Sequence, residues 1–398
     1  MHRAWVIVIL CALVVGCCLG LARFAFGMLL PGISADVGLD YAQGGLLGTN
    51  YFIGYLVMVL GVPRIVRVAG QRRMILFGLL VLTTGMAGMA FSSSFNWLLV
   101  LYTLTGMGAG GAYVPAMSLA SSWFEASHRG RAAGTMLAGA GIGIVLSGLL
   151  VPTLQAQAGF AGWQVGWLLF AAIAAVTLIL CTIALRDHPA HVGLTPYGVP
   201  APPAAAGGPK PRRSWLVLLH LGVIYACYGL TYMTYTTFIV TTLIDERGMD
   251  AGQAGQFWSV VGFCSIFSGT LFGGLSDRIG RRGGLMAASL AQAPSFALVA
   301  GDFGELALYG SIVCVGLSAG SIPTIRAAAA GDQVGPERAA GALAVITLIF
   351  AAGQAAGPVG DGALAEWTGR FGPGFAACAV VAIIAVALSA LLPARGRN

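Results

Sequence analysis

Long apolar runs without charged side chains fill most of this 398-residue sequence. A helix needs about 20 mostly apolar residues to cross a bilayer core of ~30 Å. Eight runs of about that length contain no Asp, Glu, Lys or Arg: residues 4–22, 41–63, 214–244, 251–276, 283–301, 306–325, 339–360 and 371–394. We predict that each run forms one membrane-spanning helix.

Two further charge-free runs are long enough for two helices each. Residues 74–124 contain a polar break at residues 92–96, and residues 132–185 contain a break between Pro152 and Gly162. A short turn at each break divides the run into two spans. The pattern therefore predicts an all-α membrane protein with twelve transmembrane helices.

The first run follows a basic start, as in a signal peptide. Apolar residues resume after Pro31, so we expect this run to remain in the protein as helix one.

The composition excludes an ordinary water-soluble fold. Hydrophobic residues make up 58% of the sequence and charged residues 9%, whereas a soluble domain carries roughly a quarter charged residues. The net charge of +7 comes from cations placed between the apolar runs. A nucleic-acid partner is not expected, because it would need these cations on one folded surface. The expected surroundings are a lipid bilayer.

The distribution of Lys and Arg predicts the orientation. With a cytoplasmic N-terminus, 17 of the 21 cations fall in cytoplasmic segments and 2 fall in external loops. Cytoplasmic loops of membrane proteins carry such an excess. We predict a multi-pass protein of the bacterial inner membrane with both termini in the cytoplasm. The two remaining cations, Arg23 and Arg326, lie inside spans.

The chain contains an internal repeat. A proline-rich segment at residues 187–213 separates residues 1–186 from residues 214–398 and predicts a cytoplasmic linker between two domains. The stretch at 38–45 matches the stretch at 248–255 at its Gly, Asp, Gln and final Gly positions, and residues 131–134 recur as residues 338–341. We predict two homologous six-helix bundles with a binding cavity at the repeat interface.

The loop between spans eight and nine resembles the signature loop of the major facilitator superfamily. It reads Gly-Gly-Leu-Ser-Asp-Arg-Ile-Gly-Arg-Arg from residue 273 to residue 282. The resemblance implies a gate on the cytoplasmic side, and we assign to it Gly273, Asp277, Arg278, Gly280 and Arg281. The corresponding loop of the first half, residues 61–73, keeps glycines and cations but has no Asp. Span four lacks the Arg that many proton antiporters of this superfamily carry.

Helix one resembles the start of a particular branch of that superfamily. Residues 20–31 read Gly-Leu-Ala-Arg-Phe-Ala-Phe-Gly-Met-Leu-Leu-Pro, which is similar to the YbfB/YjiJ branch. The resemblance implies two bundles that open a central cavity to one side of the membrane at a time, and we expect the protein to be a monomer. The resemblance also implies that spans one, four, seven and ten line this cavity and that the substrate is a small molecule.

Arg23 is the first candidate for binding that substrate. A guanidinium deep in a span costs several kcal/mol unless it faces a wet cavity or a partner. It also matches the geometry of a carboxylate with two hydrogen bonds. We hypothesise that Arg23 binds an anionic group of the substrate. The alternative is a structural arginine that bonds to helix-end carbonyls.

Arg326 in span ten is a second candidate. Its side chain either lines the cavity or reaches the cytoplasmic surface, which lies only some five residues away. Asp361 in span eleven is the one acid inside a span. The predicted membrane interior is therefore net positive, which favours anions over cations as substrates.

Tyrosines supply further candidates. Tyr225, Tyr228, Tyr232 and Tyr235 share one face of span seven, and we assign Tyr228 and Tyr232 to substrate binding, as well as Tyr51 in span two and Tyr113 in span four. The alternative is aromatic packing between helices.

The sequence predicts a transporter and not an enzyme. It contains no nucleotide loop, metal-ligand spacing or nucleophile elbow, and all eight cysteines lie in spans, so we expect neither a cofactor nor a metal. The favoured prediction is a secondary transporter of a small organic anion such as a monocarboxylate. Proton coupling, uniport and exchange stay open. The alternatives are an exporter of amphipathic or drug-like compounds and a membrane sensor that does not transport.

Overall fold

The structure is a computed structural model that describes residues 3–158, 162–198, 214–334 and 336–393. Helices form nearly all of this part of the chain, and the β-pairing within it is one isolated bridge between Phe124 and Tyr197. The predicted linker lies partly outside the described residues, since residues 199–213 are not among them.

Six long helices come before the linker. The first, α1, has three consecutive segments, of which the middle one is π-helical: Arg3–Val15, Gly16–Phe24 and Ala25–Val37. The next five are α2 (Tyr41–Ala69), α3 (Gln71–Ala90), α4 (Phe95–Trp123), α5 (Ala126–Ala158) and α6 (Gly162–Ala184). A short 3₁₀ turn follows at Pro189–Val192.

The second half contains six further helices. Helix α7 (Ser214–Thr241) continues into a π turn at Thr242–Glu246. The helical stretch Ala251–Ala300 breaks at Gly280, so we number its parts α8 (251–279) and α9 (281–300). Helix α10 has two segments, Glu305–Ser318 and Ser321–Val334, and is followed by α11 (Pro336–Thr368) and α12 (Gly372–Ala390).

Every span predicted from the sequence lies on one of these helices. By length and composition, ten helical stretches of the described residues could cross a membrane. One of the ten is the 50-residue stretch that carries both α8 and α9, and α11 covers the eleventh predicted span in 33 residues. The prediction of an all-α membrane fold is confirmed.

The internal repeat is visible in the way two helices begin. At the start of α2, the Asp40 amide donates to the Gln43 side chain (3.2 Å) and the Gln43 amide donates to the Asp40 carboxylate (2.6 Å). Asp250 and Gln253 exchange the same two bonds at the start of α8, at 3.3 Å and 2.8 Å. Each pair satisfies amides that helical bonding leaves unpaired. The repeated Asp and Gln therefore have a structural cause.

A second repeated feature is the turn before α3 and before α9. Gly70 has φ 86° and ψ 161°, and Gly280 has φ 85° and ψ 161°. Side chains with a Cβ rarely adopt this conformation, so both positions require glycine. Gly280, assigned to the gate from the sequence, thus has a backbone role in turning the chain between α8 and α9.

The chain divides into two compact units, each with its own contacts. Unit 1 contains the described residues of Met1–Leu39, Asn50–Ala206 and Asp250–Gly262, and unit 2 contains those of Asp40–Thr49, Gly207–Met249 and Phe263–Asn398. The start of α8 therefore belongs to unit 1 and the start of α2 to unit 2. The sequence-based division at residues 186 and 214 stays a prediction.

Glycines allow close helix packing inside unit 1. A Cβ placed on Gly143 of α5 would lie 2.7 Å from the Cα of Gly20 in α1, and the reverse distance is also 2.7 Å. The start of α8 packs on α5, where the Trp258 indole donates to the Ser147 hydroxyl at 3.2 Å. Small residues bring helix backbones together in membranes, where dispersion contacts drive helix association.

Unit 2 uses the same device between α7 and α11. Gly353 and Gly357 of α11 face the carbonyls of Ala226 and Leu230 in α7, with no room for a side chain. The start of α2 also packs on α11, where the Thr49 hydroxyl donates to the Ala355 carbonyl at 3.0 Å. These contacts fix α7 and α11 as neighbours.

We predict that Gly143→Leu destabilises the protein. Its side chain would enter the contact with Gly20, and overpacking of this kind costs ~1–3 kcal/mol. Gly134→Leu, in the same helix, is the matched control because Gly134 is exposed with open space around it. Thermal unfolding in detergent should show a lower Tm for Gly143→Leu only, and equal Tm values for the two variants would contradict the packing.

Candidate functional site

Arg23 lies in the π-helical segment of α1. The Ala25 amide that ends this segment bonds to the Gly20 carbonyl, five residues earlier. π-helical turns are rare and occur frequently at functional sites. The Arg23 side chain is half-buried, in a segment whose other residues are apolar or small.

Two aromatic rings flank the guanidinium. The Cζ atom of Arg23 is 4.1 Å from the ring centroid of Phe52 in α2 and 5.0 Å from that of Phe24. A cation over an aromatic face gains ~0.5–2 kcal/mol, most when it is removed from water. The contacts fix the position of the positive charge.

Two tyrosine hydroxyls stabilise the π-helical segment. Tyr51 of α2 donates to the Cys18 carbonyl (2.6 Å), and Tyr102 of α4 donates to the Ala22 carbonyl (2.9 Å). Both phenols also interact electrostatically with Arg23. Tyr51, assigned to substrate binding from the sequence, is 1% exposed, so in this structure its hydroxyl supports the backbone that carries Arg23. Its role in binding substrate stays a prediction.

Tyr113, the other candidate in unit 1, pairs with a second tyrosine. Its ring centroid lies 6.4 Å from that of Tyr55, and both side chains are half-buried. The assignment of Tyr113 to substrate binding also stays a prediction.

In unit 2, Arg326 of α10 lies on an aromatic face as Arg23 does. Its Cζ atom is 3.9 Å from the ring centroid of Tyr225 in α7, and its Nη1 donates to the Thr347 hydroxyl of α11 at 3.2 Å. The half-buried side chain therefore bends towards two neighbouring helices of its unit.

The tyrosines of α7 form a stack. The rings of Tyr225 and Tyr228 are 5.7 Å apart with an interplanar angle of 5°, and those of Tyr228 and Tyr232 are 5.2 Å apart at 12°. Phe350 of α11 stacks on Tyr225 at 3.7 Å. The Tyr228 hydroxyl donates to the Ala319 carbonyl, at the break in α10. Tyr228 and Tyr232 are buried, and their predicted contact with substrate is untested.

The signature loop contains one ion pair. Asp277 Oδ1 of α8 and Arg281 Nη1 of α9 are 2.6 Å apart across the break at Gly280, and Arg281 also donates to the Ser276 hydroxyl at 3.3 Å. Arg278 is exposed. Gly273 of α8 lies beside the Thr324 methyl group of α10. The assignment of these residues to a gate stays a prediction.

The corresponding turn of the first half takes its acid from elsewhere in the chain. Asp187 Oδ1 accepts a bond from the Arg72 amide at 2.5 Å and so caps the start of α3. The Arg72 guanidinium donates to the Thr182 carbonyl of α6 at 2.6 Å. The capping role of Asp187 could not be predicted from the sequence, because Asp187 lies 115 residues from Arg72 and no local pattern links the two.

The structure and its similarity to known proteins together identify the class of protein. Within the described residues, no group of three or more His, Cys, Asp or Glu side chains is arranged to hold a metal ion. The apolar helices and the relatives named below define a multi-pass membrane protein. The model of the Major Facilitator Superfamily matches residues 12–282 and 221–397. The chain belongs to the major facilitator superfamily, as the signature loop indicated.

Several curated proteins are similar to this chain. A probable sulfoacetate transporter of Cupriavidus necator is 26% identical over 66% of this chain and 62% of its own length. An uncharacterised transporter of the same superfamily from Mycobacterium tuberculosis is 25% identical over 90% of this chain and 79% of its own. A hexuronate transporter of Bacillus subtilis is 24% identical over 63% of this chain. The chain spans less than two thirds of the length of the first of these.

A solved structure shows the same fold. A bacterial homologue of the human lysosomal transporter Spinster, in an inward-facing and unoccupied conformation, has a TM-score of 0.76 and 16% identity. The comparison covers 98% of this chain and 97% of the homologue. The placement in the YbfB/YjiJ branch stays a prediction.

We predict that Asp187→Ala lowers the thermal stability. Loss of a side-chain cap at a helix start costs ~0.5–2 kcal/mol. Asp302→Ala is the matched control, because Asp302 is a largely exposed aspartate whose partner is a side chain and not a helix-end amide. Thermal unfolding should give a lower Tm for Asp187→Ala than for Asp302→Ala. The reverse order would contradict the capping role.

Proposed function

We propose that this chain is a secondary active transporter that carries a small organic anion, such as a monocarboxylate, across the bacterial inner membrane by alternating access. The main support for this proposal is the Arg23 guanidinium. It is half-buried in a π-helical segment, and its Cζ atom is 4.1 Å from the ring centroid of Phe52. The protein acts as a monomer with both termini in the cytoplasm, in keeping with the excess of cations in the cytoplasmic segments.

The charge of Arg23 favours an anion. A charged side chain at the centre of a spanning helix costs ~2.5–3.5 kcal/mol on insertion scales. A carboxylate or sulfonate matches a guanidinium in charge and in geometry, through two parallel hydrogen bonds. Two relatives are named for transport of sulfoacetate and hexuronate, both of which are anions.

Other side chains complete the proposed site and gate. In unit 1, Tyr113 is a proposed contact for the polar part of the substrate, and Tyr51 fixes the helix that carries Arg23. In unit 2, the proposed substrate contacts are Arg326, Tyr228 and Tyr232. The Asp277–Arg281 pair of the signature loop, with Gly273, Arg278 and Gly280, controls opening on the cytoplasmic side. A gradient of protons or of the substrate itself drives transport.

A second candidate function is the export of amphipathic compounds. The observation that favours it is the stack of three parallel tyrosine rings in α7, since stacked aromatic faces bind flat apolar groups. A relative that is 25% identical over 73% of this chain is named as an agnestins efflux protein of Paecilomyces divaricatus. Transport that depends on a carboxylate or sulfonate in the ligand distinguishes the first candidate from the second.

We predict that Arg23→Ala reduces anion uptake into proteoliposomes by at least about tenfold, because a hydrogen bond to a charged group contributes ~1.5–3 kcal/mol. Arg23→Lys keeps the positive charge but cannot make the two parallel hydrogen bonds, so its uptake should lie between that of the wild type and that of Arg23→Ala. The probes are labelled sulfoacetate, glucuronate and lactate.

The matched control is Arg64→Ala, because Arg64 is exposed near the end of α2. This variant should retain wild-type uptake. Unchanged uptake by Arg23→Ala, for every probe that the wild type carries, would contradict the assignment of Arg23 to the anion.

A further inference from the structure

Asp361 of α11 is an isolated acid in the interior of unit 2. Its side chain is 6% exposed. Neither carboxylate oxygen has a hydrogen-bond partner among the described residues, and neither ion pair within them includes it. The other acids whose side chains the structure describes are half-buried or exposed. A buried carboxylate without donor or cation is strongly unfavourable as an anion.

Glycine makes the space that the carboxyl group occupies. A side chain on Gly374 of α12 would coincide with Asp361 Oδ1. Gly357 lies on the same face of α11, one turn earlier, and packs against the backbone of α7. A Cβ placed on Gly357 would lie 3.0 Å from the hydroxyl oxygen of Thr234. Asp361 is thus packed against α12 at Gly374, with no room there for a side chain on the facing helix.

The titratable groups that face Asp361 cannot balance a negative charge on it. They are Glu246, at the end of the π turn that follows α7, and the buried Cys378 of α12. Glu246 is half-buried and accepts a bond from the Phe371 amide at 2.5 Å. Its charge opposes ionisation of Asp361 through repulsion.

The neighbours of Asp361 on α12 favour a proton over a metal ion as the bound cation. A hard cation such as Na⁺ needs several oxygen ligands around it. Gly374 has no side chain and Cys378 offers sulfur, so the neighbours on α12 supply no side-chain oxygen. A proton needs only one carboxylate oxygen.

We propose that Asp361 is a reversible proton-binding site of this protein and couples proton movement to transport. It takes one proton from water when the site opens and returns it to water on the other side, and only the O–H bond forms and breaks. The coupling rests on the proposed transport function, but the proton site itself does not.

Infrared spectroscopy of the purified wild-type protein tests the site without any substrate. We expect the C=O band of one protonated carboxyl group at neutral pH, which disappears reversibly as the pH is raised. Asp361→Asn should remove this band, whereas Asp302→Asn should retain it because Asp302 is exposed. Absence of the band in the wild type, or its persistence in Asp361→Asn, would overturn the proposal.

Two further measurements cover the remaining outcomes. If Asp361→Asn does not fold, the variant Glu246→Gln tests the assignment of the band. Removal of the neighbouring charge must shift the pH at which the band of Asp361 disappears. An unchanged pH would count against Asp361 as the source of the band. In proteoliposomes, Asp361→Asn should lose uptake of sulfoacetate, glucuronate or lactate driven by a pH gradient and keep exchange of the same probe. A band from Asp361 without pH-driven uptake in the wild type would overturn the coupling alone, and uptake driven by Na⁺ would overturn it likewise.

Discussion

The structure of unit 1 depends on one constraint, the placement of a guanidinium inside an apolar helix. Lipid offers no hydrogen bonds, so a charge and a distorted backbone at that depth must be satisfied by the protein. The Tyr51 and Tyr102 hydroxyls bond to carbonyls of the π-helical segment, and Phe52 covers the guanidinium. Contacts from α2 and α4 thereby hold Arg23 in place.

Close helix packing makes these contacts possible. Gly106 of α4 faces the Tyr51 carbonyl, and Gly20 of α1 faces Gly143 of α5, in both cases with no room for a side chain. Such approaches bring long aromatic side chains across to the neighbouring helix. In unit 2, glycines between α7 and α11 serve the same purpose, and there Arg326 rests on Tyr225 and bonds to Thr347.

Much of the fold could be predicted from the sequence, because the spans and the repeat depend on local composition. The pairs Asp40–Gln43 and Asp250–Gln253 repeat because each begins a helix, and Gly70 and Gly280 repeat because each makes the same turn. The surroundings of the candidate site could be predicted less well. The π-helical segment, the ring of Phe52 and the cap from Asp187 all depend on residues distant in sequence. From the sequence, Tyr51 is a candidate for substrate binding, whereas its bond to the Cys18 carbonyl depends on how α1 and α2 pack.

A thermal-shift screen of the wild-type protein tests whether the proposed binding site selects for negative charge. A ligand raises the Tm by binding the folded state in preference to the unfolded one. Sulfoacetate, glucuronate and lactate should be compared with the neutral analogues glucose and lactamide and with a cationic amphipathic drug. We predict that at least one anion raises the Tm while its neutral analogue does not. Stabilisation by the cationic drug alone, with no effect of any anion, would contradict it.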